Sequence, residues 1–180
     1  MQTRSQMSAR MRRVCAPLLF MLFDYLAILF AEKMAFELHE IYGMLVGRTF
    51  HVPVPYLVFW IPLVFIAFLW GMQTYTKMQP ILETVRKIFY AVLYAMIACI
   101  LVLYFMQAGL LASRLYVILF GALVLFSIYA ARYTLLKLLK TTHTLTKPVI
   151  LIGAGRTAEQ VLGFFDGDLG YRYEVIGILD

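Results

Sequence analysis

TKPVILIGAGRTAEQVLGFF, residues 146–165, runs from a short apolar segment through a glycine turn into a helical stretch. Val149–Ile152 is short and rich in β-branched residues, which suits a buried parallel strand. It leads into Gly153-Ala154-Gly155-Arg156-Thr157-Ala158, the G-x-G-x-x-A form of the dinucleotide fingerprint. A helix is expected over Thr157–Phe165, a polar loop over Asp166–Arg172 and a second strand over Tyr173–Leu179, closed by Asp180. Each small residue has a reason. Gly153 allows the tight turn, Gly155 leaves room for a pyrophosphate against the backbone, and Ala158 lets the helix pack on the strand. Free N–H groups at the helix start favour an anion. Arg156 could add charge against phosphate, and Asp180 could accept hydrogen bonds from ribose hydroxyls. The candidate cofactor-binding residues are therefore Gly153, Gly155, Arg156 and Asp180, with a nucleotide at the turn as one reading and glycines kept for packing, with no ligand bound, as the other.

Upstream, the composition is that of a different solvent. Hydrophobic residues make up 63% of the chain and charged residues 14%, against roughly 45–50% and about 25% in soluble proteins. Too little polar surface remains to cover a water-soluble core, and lipid is the natural surrounding. A membrane helix needs ~20 apolar residues. Spans are expected at about 14–38, 52–72, 88–112 and 115–131. Pro80–Lys87 reads as a short helix leading into the third span. The tight link at Ser113–Arg114 makes the third and fourth spans antiparallel neighbours. The expected fold is an α-helical membrane bundle of four transmembrane helices (residues 14–140, after a basic N-terminus over 1–13). The first βαβ unit of an incomplete Rossmann-like α/β domain follows over 147–180.

Basic residues orient the bundle. Arg4, Arg10, Arg12 and Arg13 precede span one. Lys77, Arg86 and Lys87 separate spans two and three, and Arg132, Lys137, Lys140 and Lys147 follow span four. The opposite side holds Arg48 and Arg114, eleven against two. Both termini are expected in the cytoplasm. The net charge of +6 is thus a topology signal, and no basic patch on a soluble face points to nucleic acid. A cleaved signal peptide is disfavoured by the long apolar run and by Asp24.

Inside the spans a few residues stand out. Pro62 is expected to kink the second helix, and Tyr56, Trp60, Trp70 and Tyr75 to anchor its ends at the interfaces. Asp24 is costly at mid-depth. It reads as a polar link between helices, to Ser127, Tyr94 or Gln107, with a lipid-headgroup or substrate contact as the other reading. Glu32 and Lys33 are expected near the outer face. Cys15 and Cys99 have no metal or disulfide spacing and read as small buried hydrophobes, with lipidation an alternative for Cys15. His39 and His51 could meet Glu37 and Glu40, but read as solvated loop residues. No acid pair or nucleophile–base grouping is placed for catalysis, so the candidate catalytic and metal residues are none.

A single βαβ unit cannot close a core, because parallel strands need both faces covered and domains below about 40 residues rarely stand alone. The chain is expected to be the N-terminal piece of a longer protein whose remainder is cytoplasmic.

The segments DYLAILFAEK (24–33), SRLYVILFGALVLFSIYAARYTLLKLL (113–139), KPVILIGAGRTAEQVL (147–162) and GYRYEVIGILD (170–180) together resemble the N-terminal part of the polyprenyl-phosphate sugar-1-phosphate transferases, of the undecaprenyl-phosphate galactose phosphotransferase type. The resemblance implies a bacterial inner-membrane protein that starts surface-polysaccharide synthesis. Such proteins move a sugar-1-phosphate from a nucleotide sugar, such as UDP-galactose, to undecaprenyl phosphate and release UMP. Membrane lipid, undecaprenyl phosphate and a nucleotide sugar are the implied partners, and a homodimer is compatible with them. The resemblance further implies that the bundle and the glycine-turn unit are accessory. Chemistry would belong to a C-terminal domain with an Asp-Glu pair using Mg²⁺, outside these 180 residues. Two other readings fit the same pattern: a membrane-bound nucleotide-sugar dehydratase or epimerase, whose second NAD-binding domain does the redox chemistry, and a non-enzymatic membrane sensor with a nucleotide-binding domain.

Overall fold

The computed structural model describes residues 2–46, 59–77, 79–105, 114–141, 147–153, 155–171 and 173–179. Its elements are α1 (Gln2–Val46), α2 (Ile61–Gly71), α3 (Ile81–Phe105), α4 (Arg114–Thr141), β1 (Lys147–Ile152), α5 (Arg156–Gly167) and β2 (Tyr173–Leu179). The protein is mostly helical, with a small two-stranded parallel sheet at the C-terminal end. Among the described residues, three stretches are long and apolar enough to cross a membrane: Cys15–Gly43, Ile81–Val102 and Arg114–Thr141. This is a membrane-associated, multi-pass architecture. The expected second span is represented by α2, which is apolar but has 11 residues. That is about 16 Å of helix, and residues 47–58 before it lie outside the described residues.

Why these helices associate follows from their faces. On α1 the buried positions Phe20, Asp24, Ala27, Ile28, Ala31 and Ala35 recur at three- and four-residue spacing. Leu18, Leu22, Leu26 and Phe30 form the opposite, exposed stripe. In water such a stripe would be a liability, whereas against lipid tails it costs nothing. Between apolar helices in lipid, close packing and polar links do the work that water exclusion does elsewhere. Ala27, Ala31 and Ala35 supply the smooth face, and α1 packs most extensively on α4. Asp24 meets Arg132 and His39 meets Tyr116, so these two helices run antiparallel. Tyr129 donates to the Val85 carbonyl at 3.0 Å, and a Cβ on Gly121 would lie 3.1 Å from Met96 Cε. Those two contacts make α3 and α4 antiparallel neighbours, as the short link predicts. Phe65 of α2 closes the middle of the core edge-on to Phe120, with centroids 5.6 Å apart.

Several local expectations change. Pro62 stands in the first turn of α2, where a missing N–H is tolerated, and residues 47–58, against which a kink would be judged, lie outside the described residues. The proline inside a helix is Pro17 of α1. Pro80–Lys87 is no separate helix, since α3 runs unbroken from Ile81 and its first turns carry the Glu83–Lys87 pair at 2.9 Å. Cys15 is exposed and Cys99 half-buried. His39 lies within α1 and is buried, edge-on to Tyr116, instead of in a solvated loop. Trp60 and Trp70 are exposed at the two ends of α2, as interface anchors are, but Tyr75 is buried. His51, Tyr56 and Gln107 lie outside the described residues.

β1 and β2 pair in parallel, Lys147 with Tyr173 and Ile152 with Leu179, with an irregularity between Val149 and Ile150. Helix α5 connects them. The unit is fastened to the bundle by the loop after α5. Leu169 packs against the bundle core. Gly170 lies so close to the chain before α3 that a Cβ there would overlap the Gln79 carbonyl oxygen.

Candidate functional site

The two glycines of the turn differ in what holds them. Gly153 has φ +93°, a conformation that side chains rarely adopt, so glycine is required there by the backbone itself. Gly155 is different. Its φ of −78° and ψ of 178° suit any residue, and a Cβ would meet nothing within 4 Å. Local sterics therefore do not demand glycine at 155, and the open space beside it is what a close-approaching ligand would use. Gly155 is the N-cap of α5, with Ala158 N–H donating to its carbonyl at 2.8 Å and no side chain capping the helix start. The first N–H groups of α5 and their positive dipole end are left for water or an anion. Arg156 opens α5, and Asp180 lies outside the described residues.

At the other end of α5 sits a residue that sequence reading passed over. Asp168 caps the helix with its N–H on the Phe164 carbonyl at 3.1 Å. Its carboxylate accepts the N–H of Gly170 at 2.6 Å, an Asx-type turn, and that of Ile81 at 3.1 and 3.2 Å. Ile81 is the first residue of α3, so Asp168 acts as an N-terminal cap supplied from 87 residues away. Lys140 at the end of α4 donates to the Asp168 carbonyl at 3.1 Å. One twelve-residue helix thus spans from the glycine turn to a latch on two membrane helices.

Within the bundle the central polar group is Asp24, which is fully buried. Its partners are neither Ser127 nor Tyr94. Arg132 Nη2 donates to Asp24 Oδ2 at 2.6 Å and Arg132 Nε to Oδ1 at 3.0 Å, a bidentate fork. Tyr75 Oη donates to Oδ2 at 2.8 Å. The guanidinium also donates to the Thr74 carbonyl and hydroxyl, both at 3.3 Å. It lies 4.8 Å from the Phe20 ring centroid and 4.7 Å from that of Tyr75, within cation–π range of both. Every contact satisfies another group, and Thr74 in turn donates to the Leu69 carbonyl at 2.9 Å. The cluster ties α1, α4 and the turn after α2 together. The bridging reading of Asp24 is the one this geometry fits, with different partners. The sequence signal was present in Arg132, which counts equally well as a topology-setting charge.

Glu32 and Lys33 take opposite faces of α1. Lys33 is exposed and pairs with Glu37 at 3.8 Å, but Glu32 turns inward and is 4% exposed. Among the described residues, no group of three or more His, Cys, Asp or Glu side chains gathers to hold a metal. Compared with models of protein families and with curated proteins, the chain matches none.

Proposed function

We propose that this chain is the membrane bundle and accessory unit of an initiating phosphoglycosyl transferase. On this reading the parent protein moves a sugar-1-phosphate, such as galactose-1-phosphate, from a UDP-sugar to undecaprenyl phosphate at the cytoplasmic face of the bacterial inner membrane. The helices number four, counting α2 with the residues before it, and both termini are cytoplasmic. The sheet and α5 are the first unit of a Rossmann-like domain. The observation that carries the reading is the join: an apolar bundle latched through Asp168 to a parallel strand–helix–strand unit. That unit has a glycine turn with open space at Gly155.

Gly153, Gly155 and Arg156 take the nucleotide diphosphate in this account: Gly153 shapes the turn, Gly155 admits the phosphate and the α5 start supplies N–H donors. Asp180 takes the ribose. The transfer step needs the acid pair and Mg²⁺ of a further domain, so residues 1–180 alone transfer nothing. The test is incubation of the intact protein with radiolabelled UDP-galactose and undecaprenyl phosphate. Label in the lipid phase supports the reading, and no label with any common nucleotide sugar overturns it.

A further inference from the structure

Glu32 sits on the face of α1 that packs into the bundle, two helical turns beyond Asp24 towards the far end from the sheet. It is 4% exposed, and its Oε1 is buried without a hydrogen-bond partner among the described residues. No cation approaches it among the described residues. Lys33, its neighbour in sequence, points out to Glu37, and Arg132 is committed to Asp24. Cys99 of α3 and Tyr116 of α4 lie within electrostatic reach of its carboxyl. Helix α2, IPLVFIAFLWG, has no titratable residue. On α1 itself the neighbours along this face are Asp24, which is negative, and His39, whose ring is turned edge-on to Tyr116.

An unpaired carboxylate in such a place faces a large desolvation penalty, and the ordinary escape is to take up a proton. We propose that Glu32 is an intramembrane proton-binding site, a carboxyl that stays protonated at neutral pH inside the bundle. It is thereby the preferred target of a lipid-soluble carbodiimide. In that reaction the carboxyl oxygen bonds to the central carbodiimide carbon and the acid proton passes to a carbodiimide nitrogen. Nothing leaves, and rearrangement to the N-acylurea fixes the adduct. Asp24 is the internal control, because a carboxylate held by a guanidinium has no proton to give. The inference is independent of the transferase reading.

Two measurements on the full chain in lipid vesicles test it. Infrared absorption at neutral pH should show a protonated-carboxyl carbonyl band that disappears in Glu32→Gln, whereas loss of an ionised carboxylate band in that variant would overturn the proposal. Dicyclohexylcarbodiimide applied to the unaltered protein, which needs no variant to fold, should add one equivalent on the peptide containing Glu32, with labelling falling as the medium is made alkaline. Adducts on other carboxyls with none on Glu32 would contradict it.

Discussion

Asp24 and Glu32 stand on one helix, eight residues or roughly 12 Å apart along its axis. Both are turned into the same bundle. Around Asp24, two segments distant in sequence, α4 and the turn after α2, bring an arginine, a phenol and a threonine, and the carboxylate is held on both oxygens. Near Glu32 stand the thiol of Cys99 on α3 and the phenol of Tyr116 on α4, and one oxygen is left without a bond among the described residues. The same residue chemistry in the same solvent therefore has two outcomes. Where a guanidinium is in reach, charge is kept and becomes a clamp. Where none is, the charge itself is the thing given up.

This comparison ranks what substitutions should do. The largest effect belongs to Arg132→Leu, which strands a buried carboxylate. Breaking such a pair from one side costs on the order of 3–5 kcal/mol. The variant should lose its folded population in denaturant titration of the solubilised protein. Tyr75→Phe removes one hydrogen bond to a charged acceptor and leaves the fork intact, so about 1.5–3 kcal/mol is expected in the same titration. Gly170→Ala forces a methyl group against the Gln79 carbonyl oxygen. A cost of about 1–3 kcal/mol is expected, seen as faster hydrogen exchange at the Ile81 amide because the latch opens. Asp168→Ala removes the cap of α3 without a clash and should cost ~1 kcal/mol, with exchange quickened at both Ile81 and Gly170. The smallest effect belongs to Glu32→Gln. A neutral isostere replacing a neutral acid should stay within about 0.5 kcal/mol. A large stabilisation there would mean that Glu32 is ionised and would erase the contrast with Asp24.

A parallel contrast separates the two glycines of the turn. Gly153 is demanded by its backbone and Gly155 only by what approaches it. On the transferase reading, Gly155→Val in the intact protein should weaken UDP-sugar binding by ~tenfold or more while leaving thermal unfolding unchanged. Equal binding by the variant would show that the open space is not used.

The parts of this fold legible from sequence are those written locally. The run Val149–Ile152, the glycine spacing and the β-branched Tyr173–Leu179 each announce their own element, and the strand and helix limits shift by only one or two residues. The apolar runs likewise announce α1, α3 and α4. What could not be read are the pairings across distance. Arg132 carries the same code whether it sets topology or binds Asp24, and only packing decides between them. Asp168 looks like any polar loop residue until the loop is brought against Ile81. Glu32 and Lys33 are adjacent, and helical phase alone sends one inward and the other out.

The clamp between α1 and α4 is tested most directly by unfolding free energies of Asp24→Leu, Arg132→Leu and the double replacement, compared in the same lipid–detergent mixture. If the two residues act as one buried pair, each single change is strongly destabilising, and the double variant recovers most of the loss because no charge is left unpaired. Losses that simply add, or single variants as stable as the unaltered protein, would contradict the account.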